Sequence, residues 1–360
     1  MKIAILGCGV VGASIAYELS RIPEFDITVF DRDTPASGST GAALGVLMGA
    51  ISQKKLKSRA WKLREASLQR YKTLIPELEA QIDRSIPRND NGILKLCAPD
   101  ENIAKWETLI AQRRDQGFPL ERLSPNEVRT RYPLVSTDEI VAAVYSPLDR
   151  QIQPIPLTEA LVEAARQNGV QFEFNTLITD AEIEDLETRV CRSLIYKENR
   201  SISIDWVVVA AGLGSTPFTE VLREPVVIQP VLGQALEFSI DLPVSMPTVT
   251  GNDVHLVPHN GRGWVGATVE FPDDRGKINA ASHLLEILKQ QAISFCPTLA
   301  KAPILRQWQG LRPRPVNRSA PIIEMLPGYA NVVLASGHYR NGVLLAPATA
   351  DAVRSIVNRY

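Results

Sequence analysis

The chain has 360 residues, of which 45 % are apolar and 22 % charged, a composition typical of a soluble globular protein. Its 39 lysines and arginines nearly balance its 40 aspartates and glutamates, so the net charge is −1. This balance argues against binding to nucleic acid or to an anionic membrane. No apolar run approaches the roughly 18 residues of a transmembrane helix. The length allows one large domain or two of medium size.

The four cysteines are widely separated and form no C-x-x-C pair. Such usage is typical of a reducing compartment and predicts neither a structural disulfide nor a zinc site. The first residues, MKIAILG, contain too short an apolar stretch for a secretory signal. We therefore expect a cytoplasmic protein that binds no metal.

The first thirty residues carry a dinucleotide-binding pattern. A short apolar run, Lys2 to Leu6, precedes GCGVVG, which fits G-x-G-x-x-G from Gly7 to Gly12. The helical sequence ASIAYELSRI follows, and a second β-branched run ends at Asp31. The glycines permit a tight turn and close approach of a pyrophosphate, and the helix N-terminus supplies free N–H groups. Strand, helix and acid together predict a Rossmann unit in which Asp31 accepts a hydrogen bond from a ribose.

A run of small residues, ASGSTGAALGVLMGA from Ala36 to Ala50, favours FAD over a nicotinamide dinucleotide. It carries no charge, and small side chains let the backbone lie against a large flat group such as a flavin. A flexible linker would be polar. Further along, DWVVVAAG (Asp205 to Gly212) predicts a buried parallel strand and a second glycine turn beside the cofactor. A nicotinamide-dependent dehydrogenase remains the alternative.

Alternating strands such as GILKL, VIQPVLGQALEFSI, DVHLVP and GWVGATVE are punctuated by prolines. They predict an antiparallel sheet in a second domain, inserted twice into the first. The expected fold class is α/β. We expect a Rossmann-type FAD-binding domain of residues 1–88, 147–222 and 312–360, and a substrate-binding domain of residues 89–146 and 223–311.

These motifs resemble those of D-amino-acid oxidase-like FAD-dependent oxidoreductases, most closely the glycine oxidases of the thiamine pathway. The resemblance covers nearly the whole chain and rests on GCGVVGASIAYELS, STGAALGVL, NGILKL, VVVAAG, LVPHNGRGWVGAT, WQGLRP and GHYRNGVLLAPAT. It implies a glutathione-reductase-like FAD fold of the D-amino-acid oxidase type, with the second sheet over the flavin. It also implies non-covalent FAD, a small amino acid or amine as substrate, and oxygen as acceptor. A homo-oligomer is compatible with it.

Two arginines and a histidine are the candidate substrate-binding residues. The resemblance implies that Arg312, in WQGLRP, binds the substrate carboxylate, a task suited to the planar fork of a guanidinium. It places Arg340, in GHYRNG, beside the same pocket. His255 stands where glycine oxidases carry a tyrosine that contacts the carboxylate, so the resemblance does not carry glycine over as the substrate. Val269 stands where sarcosine-oxidase-like relatives use a lysine to promote reaction with oxygen.

The stretch after Asn341 predicts a C-terminal helix that begins at Gly342. Its positive N-terminal end, directed at the flavin, would stabilise the negative charge that the flavin gains on reduction. Pro347 is expected in the first turns, where a missing N–H costs least. The residues expected to hold the cofactor are Gly7, Gly9, Val10, Val11, Gly12, Asp31, Arg32, Ser39, Thr40, Ala42, Ala43, Gly45, Leu47, Ile178, Ala211, Gly212, Gly337, Tyr339, Arg340, Asn341, Gly342, Val343 and Leu344.

The expected reaction is hydride transfer from the amine-bearing carbon to flavin N5, followed by hydrolysis of the imine to a keto acid. The flavin carries the chemistry, so the protein's tasks are positioning and electrostatics. Two alternatives remain besides the nicotinamide enzyme. One is an FAD-dependent dehydrogenase that passes electrons to another acceptor, and the other is a non-catalytic flavoprotein or a subunit that needs a partner.

Overall fold

The computed structural model describes residues 1–197 and 199–359. The helices are α1 (Val10–Leu19), α2 (Arg59–Ile82), α3 (Ile103–Asp115), α4 (Pro125–Arg131), α5 (Pro154–Gln167), α6 (Ser215–Val221), α7 (Ser282–Phe295) and α8 (Gly342–Val357). The strands are β1 (Lys2–Leu6), β2 (Asp26–Phe30), β3 (Val46–Leu47), β4 (Arg88–Asn89), β5 (Ile93–Cys97), β6 (Glu121–Leu123), β7 (Ala142–Ser146), β8 (Arg150–Ile152), β9 (Gln171–Glu173), β10 (Ile178–Glu184), β11 (Val190–Tyr196), β12 (Arg200–Ser203), β13 (Trp206–Val209), β14 (Ile228–Ser239), β15 (Thr248–Gly251), β16 (Val254–His259), β17 (Arg262–Gly266), β18 (Ile304–Pro315), β19 (Ile322–Met325) and β20 (Val332–Ser336).

The first layer is a six-stranded sheet in the order β19-β20-β13-β1-β2-β9. Its strands are parallel except for β19, which runs antiparallel to β20. Along β1, Ile3 and Ile5 enter the core on one face, and Ala4 and Leu6 enter the core on the other. Because both faces are covered, the strand is apolar along most of its length. The predicted Rossmann-type sheet is confirmed.

Different elements cover the two faces of this sheet. The helices α1, α2, α5 and α8 pack together over the face that carries Ile3 and Ile5. The antiparallel sheet β10-β11-β12, inserted between β9 and β13, contributes to the core on the opposite face.

The second layer is an eight-stranded sheet in the order β18-β14-β17-β16-β15-β5-β7-β6. Its neighbouring strands are antiparallel except for β5 and β15, and α7 packs against it. The long strand β18 pairs with β14 from Ile304 to Pro315. It therefore runs through position 312, where we expected the chain to return to the FAD-binding domain. Arg312 lies on this sheet.

Three further observations concern the described residues. None of their helices is long and apolar enough to cross a membrane. Their four cysteines are buried and free. Their histidine, cysteine, aspartate and glutamate side chains form no group of three that could hold a metal ion.

Helix α2 holds the C-terminal helix α8 at its proline. Pro347 is the sixth residue of α8, in its second turn and thus within the first turns, where we expected it. A proline there leaves the carbonyl four residues earlier, that of Val343, without its helical donor. The Tyr71 hydroxyl donates to this carbonyl at 2.6 Å, and the Ser67 hydroxyl accepts the N–H of Ala348 at 3.2 Å. Side chains of α2 thus bond to α8 where the proline interrupts its ladder.

We expect Tyr71→Phe to lower the free energy of unfolding by about 1–3 kcal/mol, because the buried Val343 carbonyl loses its donor. Chemical denaturation of the two proteins measures the difference. Tyr132→Phe is the matched control, since the ring of Tyr132 packs on Tyr145 and would keep that contact. Wild-type stability of Tyr71→Phe would show that this hydrogen bond does not stabilise the helix.

Candidate functional site

A continuous cavity of about 1220 Å³ lies between the two large sheets. One wall is formed at the carboxyl ends of β1, β2, β13 and β20, and the other by residues of β14, β16 and β18. Ligands of open α/β sheets bind at the carboxyl ends of the parallel strands. The volume exceeds the roughly 300–1,000 Å³ of common small-molecule pockets, so it has room for a dinucleotide and a small second ligand.

The glycine loop after β1 forms one end of the cavity. Gly7 has a φ of +99°, and a Cβ on Gly12 would lie 1.9 Å from the Gly7 carbonyl oxygen. Gly12 therefore permits the packing of α1 on the loop, while Gly7 and Gly9 line the cavity. The Thr40 hydroxyl accepts the N–H of Val10 at 3.1 Å. This hydrogen bond joins the small-residue run to the N-terminus of α1.

Asp31 lies at the end of β2. One of its carboxylate oxygens accepts the N–H of Cys8 at 2.5 Å, and the other accepts that of Asp33 at 2.9 Å. Burial raises the pKa of Asp31, and these two hydrogen bonds oppose that rise. Each carboxylate oxygen has a second lone pair, so Asp31 can still accept a hydroxyl. Arg32, which also lines the cavity, pairs with Asp33 at 3.1 Å.

The small-residue run connects the two sheets. Trp308 of β18 donates to the Ala42 carbonyl at 3.1 Å, and the Ser39 hydroxyl donates to the Leu311 carbonyl at 2.5 Å. Leu47 is fully buried in the core and does not line the cavity. Between these contacts the run presents backbone and small side chains to the cavity, as expected for a segment that lies against a flat ring.

Two buried charges fix the end of this run. The Asp149 carboxylate accepts the three consecutive N–H groups of residues 49–51 at 2.8–2.9 Å. Arg113 donates to the carbonyls of Ala50 and Ser52 at 2.9 and 3.0 Å. Burial raises the pKa of Asp149 and these backbone donors oppose the rise. The sequence analysis missed both residues, because only the tertiary fold brings them to the run.

Arg312 lies at the far end of the cavity together with His255 and Arg340. Its Nη1 donates to the Leu232 carbonyl at 3.0 Å, and its guanidinium lies on Gly233, where a Cβ would be 2.2 Å from Nη2. Burial lowers the pKa of Arg312, and the positive charge of Arg340 lowers it further. Within the described part of the chain, neither arginine forms an ion pair with a carboxylate.

His255 is a neutral group that lines the same cavity as these cations. Its Nδ1 lies 2.9 Å from the Thr250 hydroxyl. Burial lowers the pKa of His255 to about 4, and the charges of Arg340 and Arg312 act in the same direction. A neutral imidazole has one donor and one acceptor nitrogen, so the Thr250 contact determines which role is left to Nε2. His255 therefore adds a polar atom without adding charge.

The first turn of α8 completes this end of the cavity. Tyr339 has a φ of +54°, a left-handed conformation that is uncommon for a side chain of this size and clusters at functional sites. Asn341, which we expected to bind the cofactor, does not line the cavity. Its side-chain oxygen accepts from Arg64 at 3.1 Å, so it points toward α2.

The cavity wall brings together most of the residues singled out by the sequence. They are Gly7, Gly9, Val10, Val11, Asp31, Arg32, Ser39, Thr40, Ala42, Ala43, Gly45, Ile178, Ala211, Gly212, His255, Arg312, Gly337, Tyr339, Arg340, Gly342, Val343 and Leu344. Gly12, Leu47 and Asn341 lie outside the wall, and so does Val269, whose side chain is exposed.

The wall fits a flavin dinucleotide. A Cβ on Gly9 would meet only the Thr40 hydroxyl, at 3.0 Å, and one on Gly212 would meet only Pro313, at 3.9 Å. Backbone at both positions therefore borders open space that a ligand can approach closely. Leu177 and Ile155 also line the cavity and are 59 % and 43 % exposed. A bound ring system would remove such apolar surface from water.

A pH dependence follows from the lowered pKa of His255. Its folded-state pKa of about 4 lies below the ordinary value of 6.5, so the unfolded chain takes up the proton first as the pH falls. From pH 7 to pH 5 the wild type should lose about 1–2 kcal/mol of stability relative to His255→Gln. Denaturation at the two pH values measures this. Both proteins contain His338, whose pKa burial lowers to about 3, so the comparison isolates His255. Parallel losses in the two proteins would contradict a neutral His255.

Comparison with known proteins agrees with the fold and the site. The sequence profile of the family described as FAD dependent oxidoreductase (DAO) matches residues 2–356. The glycine oxidase of Geobacillus kaustophilus is 27 % identical over 99 % of this chain and 93 % of its own length, and that of Bacillus subtilis is 28 % identical over 98 % and 92 %.

Solved structures give the same result. The structure of the Geobacillus kaustophilus glycine oxidase has a TM-score of 0.85 and 26 % identity, over 99 % of this chain and 94 % of that one. The glycine oxidase of Bacillus cereus has a TM-score of 0.86 and 23 % identity, over 100 % and 95 %. The predicted fold and the prediction of FAD rather than a nicotinamide dinucleotide are confirmed. The chain belongs to the DAO family of FAD-dependent oxidoreductases.

Proposed function

We propose that the protein oxidises a small amino acid or amine of the glycine, sarcosine or D-amino-acid type. The observation that carries this proposal is the Arg312 guanidinium, which lines the cavity without an acidic partner among the described residues. A partly buried cation that lacks a counter-charge among the described residues is suited to an anionic ligand, and a guanidinium pairs with both oxygens of a carboxylate. The glycine oxidases among the relatives support the same substrate class.

Arg312 orients the substrate through its carboxylate. Because one Nη1 donor is fixed on the Leu232 carbonyl, the guanidinium has a defined orientation, and its remaining donors are available to the ligand. Arg340 is exposed at the same end of the cavity and adds a second positive charge. His255 contributes a hydrogen bond whose direction the Thr250 contact determines.

The same charges favour the reactive form of the amine. A C–H bond next to nitrogen is oxidised from the neutral amine, whose lone pair stabilises the developing imine. Positive charges close to an ammonium group lower its pKa. The pair Arg312 and Arg340 would therefore promote loss of the ammonium proton once the carboxylate is held, and the neutral His255 does not oppose this.

The FAD-binding end of the cavity would hold the dinucleotide. FAD supplies the hydride acceptor, flavin N5, and the protein positions it. The free N–H groups at the start of α1 are suited to the pyrophosphate, and Asp31 is suited to a ribose. Two histidines line the cavity, and each has a ring nitrogen in a hydrogen bond with a threonine: His255 with Thr250 and His338 with Thr349. We infer non-covalent FAD.

We infer that oxygen accepts the electrons and is reduced to hydrogen peroxide, as for an oxidase. The glycine oxidases among the relatives support this inference. The alternative is an FAD-dependent dehydrogenase that uses a different acceptor. Position 269 holds an exposed valine rather than a lysine, so an oxygen reaction would not involve a cation from this residue.

Arg312→Met should lower kcat/KM for a carboxylate-bearing amine about ten- to a hundred-fold, because a hydrogen bond to a charged group contributes about 1.5–3 kcal/mol. A carboxyl-free amine of similar size should be oxidised equally slowly by both proteins. Arg262→Met is the control, since Arg262 pairs with Glu237 outside the cavity wall. Unchanged kinetics in Arg312→Met would remove Arg312 from the substrate site.

The acceptor is tested separately by product balance. For a substrate that the protein oxidises in air, we expect one molecule of hydrogen peroxide for each molecule of oxygen consumed and for each molecule of ammonia or amine released. Substrate-dependent reduction of a dye or quinone, without peroxide, would contradict the oxidase assignment and favour the dehydrogenase. Absence of both activities across the glycine, sarcosine and D-amino-acid classes would contradict the proposed substrate class.

A further inference from the structure

Arg64 of α2 is a buried cation. Only 6 % of the residue is exposed. Its Nη1 donates to the Ala60 carbonyl at 2.9 Å and its Nη2 to the Asn341 side-chain oxygen at 3.1 Å. Its Nε is buried and has no hydrogen-bond partner within the described residues. Burial lowers the pKa of Arg64 and the charge of Asp149 opposes this, while a guanidinium remains protonated in proteins.

The partner of Arg64 caps the helix that faces the cofactor cavity. Asn341 is the residue before α8, and Gly342, Val343 and Leu344 of its first turn line the cavity. Arg64 therefore places a full positive charge behind an end of the helix that itself carries about half a unit charge. Among the charged side chains of residues 1–197 and 199–359, that of Arg64 is the one bonded to Asn341.

Helix α2 fixes this arrangement through a row of side chains. Arg64, Ser67 and Tyr71 are spaced by three and four residues and so lie on one face of the helix. They bond to the cap, to the Ala348 N–H and to the Val343 carbonyl. The N-terminus of α8 is thus held by three contacts from one helix, and Arg64 makes the contact next to the cavity wall.

Packing alone does not account for an arginine at this position. A buried guanidinium with an unpaired Nε is costly, and an apolar side chain of similar volume is often as stable or more stable. The tyrosine and the serine of the same row supply the hydrogen bonds that the proline makes necessary. The positive charge of Arg64 is the property that an apolar residue could not supply.

We propose that Arg64 is a positioning residue that holds the N-terminus of α8 through Asn341 and stabilises negative charge on the flavin. The proposal rests on the placement of this helix end toward the flavin. Charges interact more strongly in a buried site than in water, so a buried cation acts over a longer distance. The flavin gains negative charge when it is reduced and when its N3–H ionises, and both equilibria respond to a nearby cation.

The test uses purified FAD-bound protein and requires no substrate. Arg64→Met should make the flavin midpoint potential more negative and raise the pKa of flavin N3–H by about one unit. This is the lower end of the pKa shift that a nearby opposite charge causes. Arg64→Gln, which keeps a donor for Asn341 but not the charge, should shift both quantities in the same direction. Arg64→Lys keeps the charge and should stay close to the wild type.

Arg70→Met is the matched control on the same helix. Arg70 pairs with Glu18 and Glu77, both at 2.7 Å, so its removal should leave both flavin quantities unchanged. Should Arg64→Met fail to fold or to bind FAD, Arg64→Gln decides the question. The proposal would be overturned if an uncharged variant that binds FAD had the midpoint potential and the flavin N3–H pKa of the wild type. Arg64 would then be a structural residue. Because no turnover is measured, this result is independent of whether the protein oxidises amines.

Discussion

The substrate end of the cavity is built around positive charge that has no counter-charge among the residues the structure describes. Arg312 is half-buried against Gly233 and the Leu232 carbonyl, Arg340 lines the same end of the cavity, and His255 is kept neutral by burial and by both arginines. Such an arrangement is costly in an empty pocket and favourable when an anion enters. The N-terminal end of α8 adds to the same potential, so a carboxylate and a flavin that becomes negative on reduction are both accommodated there.

The scaffold holds these charges in place from two sides. The edge strand β18 carries Arg312, and its Trp308 also bonds the small-residue run that crosses from the Rossmann sheet. On the other side, α2 supplies a donor to the Val343 carbonyl, which Pro347 leaves without its helical partner, and an acceptor to the Ala348 N–H. Buried Asp149 fixes the end of the run through three N–H groups. Each of these contacts joins segments far apart in sequence, so the site forms only in the complete fold.

Local patterns were sufficient to predict the cofactor side. The glycine motif, the apolar strands and the uncharged run each depend on neighbours in sequence, and the Rossmann sheet and the FAD family are confirmed. The positions of Leu47 and Asn341 could not be predicted in this way. Each belongs to a correctly identified motif, but which side of the backbone faces the cavity depends on the packing of distant elements such as α2.

The residues missed by the sequence analysis have a common physical reason. Arg64, Arg113 and Asp149 are charged residues in segments without a motif, and a lone charge in a helix or loop is ordinarily a solvated one. Only their burial and their backbone partners distinguish them. The boundary expected at residue 312 has a similar origin: no local pattern marks where β18 ends, and the strand continues through residue 312 to Pro315.

The most direct test of the central claim is the flavin absorbance of the purified protein, followed without oxygen while candidate amines are added. A small amino acid or N-methyl amino acid should bleach the flavin, and the matching amine without a carboxylate should not. Bleaching that is equally rapid with carboxyl-free amines, or none with any amino acid of these classes, would contradict it.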